Sequence, residues 1–239
     1  MERNATHFAR LIHTLSTLKN FKSVFVSCVL IGVALFLGAC AQEEGVRRVR
    51  NTSRTFTTVV LDAGHGAHDS GARTRKGTLE KDLALDVTLR LAPKLQAAGF
   101  NTVLTRKRDV FVTLDDRVRI SDKYQNAVFV SIHFNDAGRK QVSGVESYYF
   151  SPESKQMAER LVRVLSDATG ATNRAARVAR FRVLRTNLNP AVLMECGYVT
   201  TVREAALIVQ PSYREKIAEG VARGIIQQRG GPIILESKL

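Results

Sequence analysis

The sequence predicts an α/β fold: a single twisted, mostly parallel sheet of about six strands with helices on both faces. Three observations carry that reading. Short runs rich in Val, Ile, Leu and Phe recur between turn-formers, as strands buried on both faces do. Segments of helical period alternate with them, the sign of crossover connections. The chain has 239 residues, 44% hydrophobic and 24% charged, enough for one substantial core in one domain.

In chain order, residues 55–64 (TFTTVVLDAG) read as a strand that opens a glycine-rich loop. Residues 79–99 read as a helix with a core stripe at Leu83, Val87 and Leu91, an N-terminal carboxylate at Glu80 and a stop at Gly99. Pro93 predicts a kink or an early end within it. Residues 100–106 (FNTVLTR) follow as a strand, 114–125 as a helix, and 127–133 (AVFVSIH) and 144–150 (GVESYYF) as strands. Residues 154–170 read as a helix, 181–186 (FRVLRT) and 190–197 (PAVLMECG) as strands, and 212–229 as the closing helix. The ends are different in character: residues 40–54 read as a polar tether and 231–239 as a loose tail, leaving the domain at 55–230.

Residues 1–39 combine a basic segment, an apolar run and the ending LGAC. That order is a secretory signal, and the ending resembles the lipobox of bacterial lipoproteins, with cleavage before Cys40 and a lipid on it. An uncleaved anchor is the alternative, although the apolar stretch is short for a span. Either way the remainder is exported and faces the periplasm or cell wall; on the lipoprotein reading it is held to the membrane through Cys40. With Cys28 in the leader and Cys40 lipidated, only Cys196 remains, so no disulfide framework exists; Cys196 reads as a small core residue rather than a nucleophile.

The net charge is +14; removing residues 1–39, with four basic and one acidic residue, leaves +11. Such a field favours anionic partners. No nucleic-acid-binding motif is present, and cell-wall carboxylates or anionic lipids suit an exported chain better. The densest basic stretch holds Arg174, Arg177, Arg180, Arg182 and Arg185. It is a solvated face on the plain reading; on the functional one, Arg174 and Arg177 bind substrate carboxylates.

Three apolar runs end at potential ligands: His65 lies just beyond the first, His133 closes the third and Glu195 closes the last before the final helix. In open α/β sheets the ligand crevice lies beyond the carboxyl ends of the strands, so these groups can converge, and Glu80 starts a helix just after the His65 loop. Two histidines and a carboxylate form a catalytic zinc set, with a further Glu as base. Hydrogen-bonded structural roles for each residue stay open on pattern alone.

Resemblance narrows the choice. The stretches VVLDAGHGAHDSGA, LEKDLAL, VLTRKRDVFVTLDDRVRIS, AVFVSIHFNDA, GVESYYF and FRVLRTNLNPAVLMECGYVT follow in the order found in zinc-dependent N-acetylmuramoyl-L-alanine amidases, over about residues 57–228. The resemblance implies one zinc held by His65, Glu80 and His133, Glu195 as the catalytic carboxylate, and peptidoglycan as substrate. It makes His68 a bystander at the cleft or in solvent, and Asp69 and Arg106 braces of the loops. Phe134 and Cys196 depart from common family residues and put cleft shape in question. The span between His133 and Glu195 is too short for the inserted helix with which some relatives block their own sites. An activating protein of unknown identity remains open as a partner. Two other classes share parts of the pattern. An exported zinc carboxypeptidase acting on stem peptides would need a cation for the terminal carboxylate. A non-catalytic wall-binding lipoprotein would be expected to have lost a ligand, and none is missing.

Overall fold

The computed structural model describes residues 48–138 and 142–230. Its strands are β1 (Thr58–Ala63), β2 (Asn101–Leu104), β3 (Ala127–Asn135), β4 (Val145–Tyr149), β5 (Asn173–Val178) and β6 (Ala191–Tyr198). Its helices are α1 (Glu80–Ala97), α2 (Leu114–Asp122), α3 (Pro152–Thr169), α4 (Arg182–Arg185), α5 (Val202–Ile208) and α6 (Pro211–Arg229). The six strands form one sheet in the order β2-β1-β3-β6-β4-β5. Every neighbouring pair is parallel except β4 against β6, so the sheet is mixed and mostly parallel.

Strand side chains alternate between two cores, as a period of two requires. Val59, Leu61, Val128, Val130, Val192 and Met194 pack with the apolar stripes of α1, α3 and α6. Val60, Phe129 and Leu193 pack instead with residues of the shorter α2 and α4. The expected stripe of α1 is buried, and Gly99 closes that helix with positive φ. There the Phe100 N–H bonds Leu95 O and the Gly99 N–H bonds Gln96 O, the paired pattern of a Schellman stop.

The short helices leave their face of the sheet less covered near the carboxyl ends of β1, β3 and β6. Ser131 and His133 continue the alternation of Phe129, and Glu195 continues that of Leu193. His133 and Glu195 therefore emerge on this face, in a cleft of about 810 Å3 lined in part by Leu114, Phe181 and Val183.

Several expectations change. Residues 181–186 are not a strand; they contain the single turn α4, in which the Arg185 N–H bonds Phe181 O and the Thr186 N–H bonds Arg182 O. The strand of this region is β5, an edge strand whose residues are mostly exposed. Helix α1 does not end at Pro93 but runs on to Ala97. Pro93 lies one turn after Leu89, an exposed residue whose carbonyl water can serve. Helix α5 carried no expectation. Residues 48–54 pack on the domain rather than extending from it: Arg50 bonds Asn189 Oδ1 and Tyr124 O, Thr52 bonds Ala127 O, and Gln228 bonds Ser53 O. The leader, Cys40 and the tail 231–239 lie outside the described residues.

Candidate metal centre

His65 follows β1 in a loop that bends sharply, with φ 59 at His65 itself and 51 at Ala67. Two buried arginines hold it there. Arg106 donates to the carbonyls of Ala63, Gly64 and Lys81, and Arg117 donates to those of Ala63 and His65 and to Asp62 Oδ1. Asp62 also accepts from Thr105 and Ser131, so three elements are tied together beneath the loop. Arg106 thus braces backbone, as expected.

Close approach explains two glycines. A Cβ on Gly64 would lie 2.3 Å from the His133 ring, and one on Gly71 would lie 2.5 Å from Glu80 Oε2 and 2.6 Å from the His65 ring. Gly71 also has φ +63, where side chains are strained.

The three expected ligands meet. Glu80 is the first residue of α1 and only 4% exposed. Its Oε1 accepts from the Phe134 N–H and lies 3.0 Å from His65 Nε2 and 2.9 Å from His133 Nδ1, while Oε2 accepts from the Ala72 N–H. Ligand atoms of His65, Glu80 and His133 lie within 4.8 Å of one another, the single such group among the described residues. Asp69 Oδ1 lies 2.9 Å from His65 Nδ1, which fixes the ring and leaves Nε2 facing the group. Burial opposes charge on Glu80, but hydrogen bonds and charges from His133 and His65 outweigh it and hold the carboxyl well below the usual range. Burial likewise works against a charged His65, and Glu80 and Asp69 overcome it to raise its pKa.

Glu195 pairs across the sheet with His133 on β3 and with Glu146 on β4, so the three form a row beside Glu80. Among the described residues, Glu195 Oε2 is the buried side-chain oxygen without a hydrogen-bond partner. Burial pushes its pKa up to about 7. The donor set suits zinc: two neutral nitrogens and a carboxylate, the first histidine fixed by Asp69 through its other nitrogen, with an unpartnered carboxyl alongside.

Cys196 points the other way, fully buried in the larger core with its thiol pKa raised by that burial, and so is placed as a packing residue. His68 is exposed and stacks on Phe111, with ring centroids 4.2 Å apart.

The arginine pair has an unforeseen neighbour. Glu146 is 2% exposed and accepts from Tyr148, Tyr198, Asn135 and Arg174. Arg174 spends its Nε on that carboxylate, whereas Arg177 lies 3.9 Å from it and is about half exposed. The Tyr148 and Tyr198 hydroxyls leave no sign in hydrophobic periodicity; the one available signal was the lone Glu within GVESYYF.

Residues 59–227 match the family model described as N-acetylmuramoyl-L-alanine amidase. Among curated relatives, the N-acetylmuramoyl-L-alanine amidase LytC of Bacillus subtilis is 34% identical over 173 residues, which cover 71% of this chain but 35% of that protein. The chain thus spans about a third of LytC. Among solved structures, the amidase AmiC2 of Nostoc punctiforme aligns with TM-score 0.69 at 39% identity, over 71% of this chain and 95% of that one. CwlD of Clostridioides difficile, solved in complex with the GerS lipoprotein, aligns with TM-score 0.67 at 28% identity, over 73% of this chain and 98% of that one.

Proposed function

This chain belongs to the N-acetylmuramoyl-L-alanine amidase family, an enzyme class acting on peptidoglycan, and from that premise we propose that it cuts the amide between N-acetylmuramic acid and L-alanine with one zinc held by His65, Glu80 and His133. Glu195 is the acid–base of this reading. The observation that carries it is the unpartnered, buried Oε2 of Glu195 beside a convergent His–Glu–His set, with a proton affinity raised to about 7.

Zinc, when bound, supplies Lewis acidity at the scissile carbonyl and lowers the pKa of water towards about 7. The chain's own groups do the rest. Glu195 Oε2 accepts the proton of the attacking water and returns it to the departing L-alanine amine, a shuttle for which a pKa near neutrality is suited. Asp69 fixes His65, and the two buried arginines hold the loop so that the donors need not reorganise.

A carboxypeptidase would need a cation for a terminal carboxylate. The two arginines lining the cleft are committed, Arg117 to Asp62 and Arg182 through paired bonds to Asp115, which favours the amidase. Arg177 is the better candidate for a stem-peptide carboxylate, with Arg174 sharing its charge with Glu146.

In this reading the chain is exported and lipidated at Cys40, which lies outside the described residues, with a short tether before the packed segment that starts at residue 48. Among the described residues no helix is long and apolar enough to cross a membrane. The CwlD–GerS complex supports a protein partner as a possible activator.

The test is digestion of purified sacculi by the full chain with and without chelator, with products identified by mass. Intact stem peptides bearing free L-alanine amines, with unbroken glycan, are expected only without chelator. Stem peptides shortened at their carboxyl ends but still attached to sugar would show a carboxypeptidase.

A further inference from the structure

The metal centre leaves the stacked pair His68 and Phe111 unused. Phe111 lines the cleft and is 44% exposed, a large apolar side chain kept in water. Its ring is nevertheless fixed: His68 backs it at 4.2 Å, tilted 38°. The two loops that carry the pair are locked together. The Ala67 N–H donates to Asp109 Oδ1, and Lys81 Nζ bridges Ala67 O and Asp109 Oδ2. They also approach so closely that a Cβ on Gly66 would lie 2.1 Å from Val110 O. An exposed ring held this firmly, against a residue three positions after His65, is preorganised rather than incidental.

We propose that Phe111, backed by His68, is a carbohydrate-stacking platform that positions the glycan side of the substrate beside His65. This rests on the amidase reading, in which one side of the scissile bond is a pyranose ring and the other a peptide with carboxylates. A pyranose presents an apolar C–H face that packs on an aromatic face. The other exposed aromatic of the cleft, Phe181, packs edge-on against Tyr148, whose hydroxyl donates to the Glu146 that Arg174 and Arg177 approach, the side that offers Arg177 to the carboxylates of the peptide. The two rims thus divide the substrate, glycan at Phe111 and peptide at Phe181. Phe111 and His68 are positioning residues.

The test uses the zinc-loaded full chain, Phe111→Ala, Phe111→Tyr and His68→Ala, and two substrates with the same stem peptide, one on a single muramoyl residue and one on a tetrasaccharide. Phe111→Ala should raise KM for the tetrasaccharide substrate about three- to tenfold with kcat nearly unchanged, the range of one aromatic stacking interaction. Phe111→Tyr should retain wild-type KM, and His68→Ala should give a smaller rise. A fall in kcat equal for both substrates, or an unchanged KM, would overturn the proposal. Equilibrium binding of a peptide-free tetrasaccharide separates this from the amidase reading, since it needs no turnover. Weaker binding to Phe111→Ala supports the platform even if no muramoyl amide is cut, and equal binding removes it even if the amidase is active.

Discussion

At the scale of single residues, Glu195 carries the most consequence. It is enclosed on β6 with no partner for Oε2, and burial raises its pKa from the ordinary carboxylate value to about 7. In the metal-free protein the folded state therefore keeps a proton that the unfolded chain has released. The stability it contributes is full below the unfolded pKa and is lost as pH rises through about 7. We expect the thermal midpoint of the chelated protein to fall by several degrees between about pH 5 and 8 relative to Glu195→Gln, which cannot ionise. Zinc should flatten that difference, because a nearby cation favours the carboxylate. Identical pH profiles for wild type and Glu195→Gln would show that Glu195 is not perturbed. The neighbouring Cys196 illustrates how far one strand position matters: its side chain enters the core, away from the cleft.

At the scale of elements, the site is made by strands β1, β3 and β6 ending at one edge and by α1 starting against them. That much was legible in the sequence, because three buried runs ended on His or Glu and strand ends gather at a crevice in open sheets. The packing tolerance was not. Gly64 is needed because the His133 ring lies where its Cβ would be, a contact between β1 and β3 that no local pattern encodes. Gly64→Ala should cut zinc affinity by about 10–100-fold, as loss of a ligand's support does, with unchanged helix content by circular dichroism. Unchanged zinc affinity would mean the His133 ring shifts freely. The swap between β5 and the turn α4 was illegible for a different reason. β5 is an edge strand of Asn, Arg and Ala with one exposed Val, paired on one side only, so it lacks an apolar period, whereas the apolar FRVLRT is a helical turn. That edge carries Arg174 and Arg177. Arg177→Gln should weaken binding to sacculi at low salt and have little effect at high salt, while Arg174→Gln should also lower the thermal midpoint, because it strips a cation from buried Glu146. Equal sacculus binding by wild type and Arg177→Gln at low salt would remove Arg177 from the substrate track.

At the scale of the whole molecule, residues 59–227 form a domain of the amidase family, and a net charge of +14 suits an anionic wall. The short span between His133 and Glu195 forms β4, α3, β5 and α4, all parts of the sheet and its cover. Cys40→Ala should block processing and leave a precursor of higher mass in the membrane fraction; a mature product of wild-type size would exclude lipoprotein processing. On the proposed function, metal binding and proton transfer reside in different residues, joined only by the sheet. That separation is tested most directly by measuring zinc content and turnover together in His65→Ala and Glu195→Gln. His65→Ala is expected to lose zinc and activity together, while Glu195→Gln keeps near-stoichiometric zinc and loses about two to four orders of magnitude in turnover. Full zinc and turnover in His65→Ala, or zinc lost from Glu195→Gln, would contradict it.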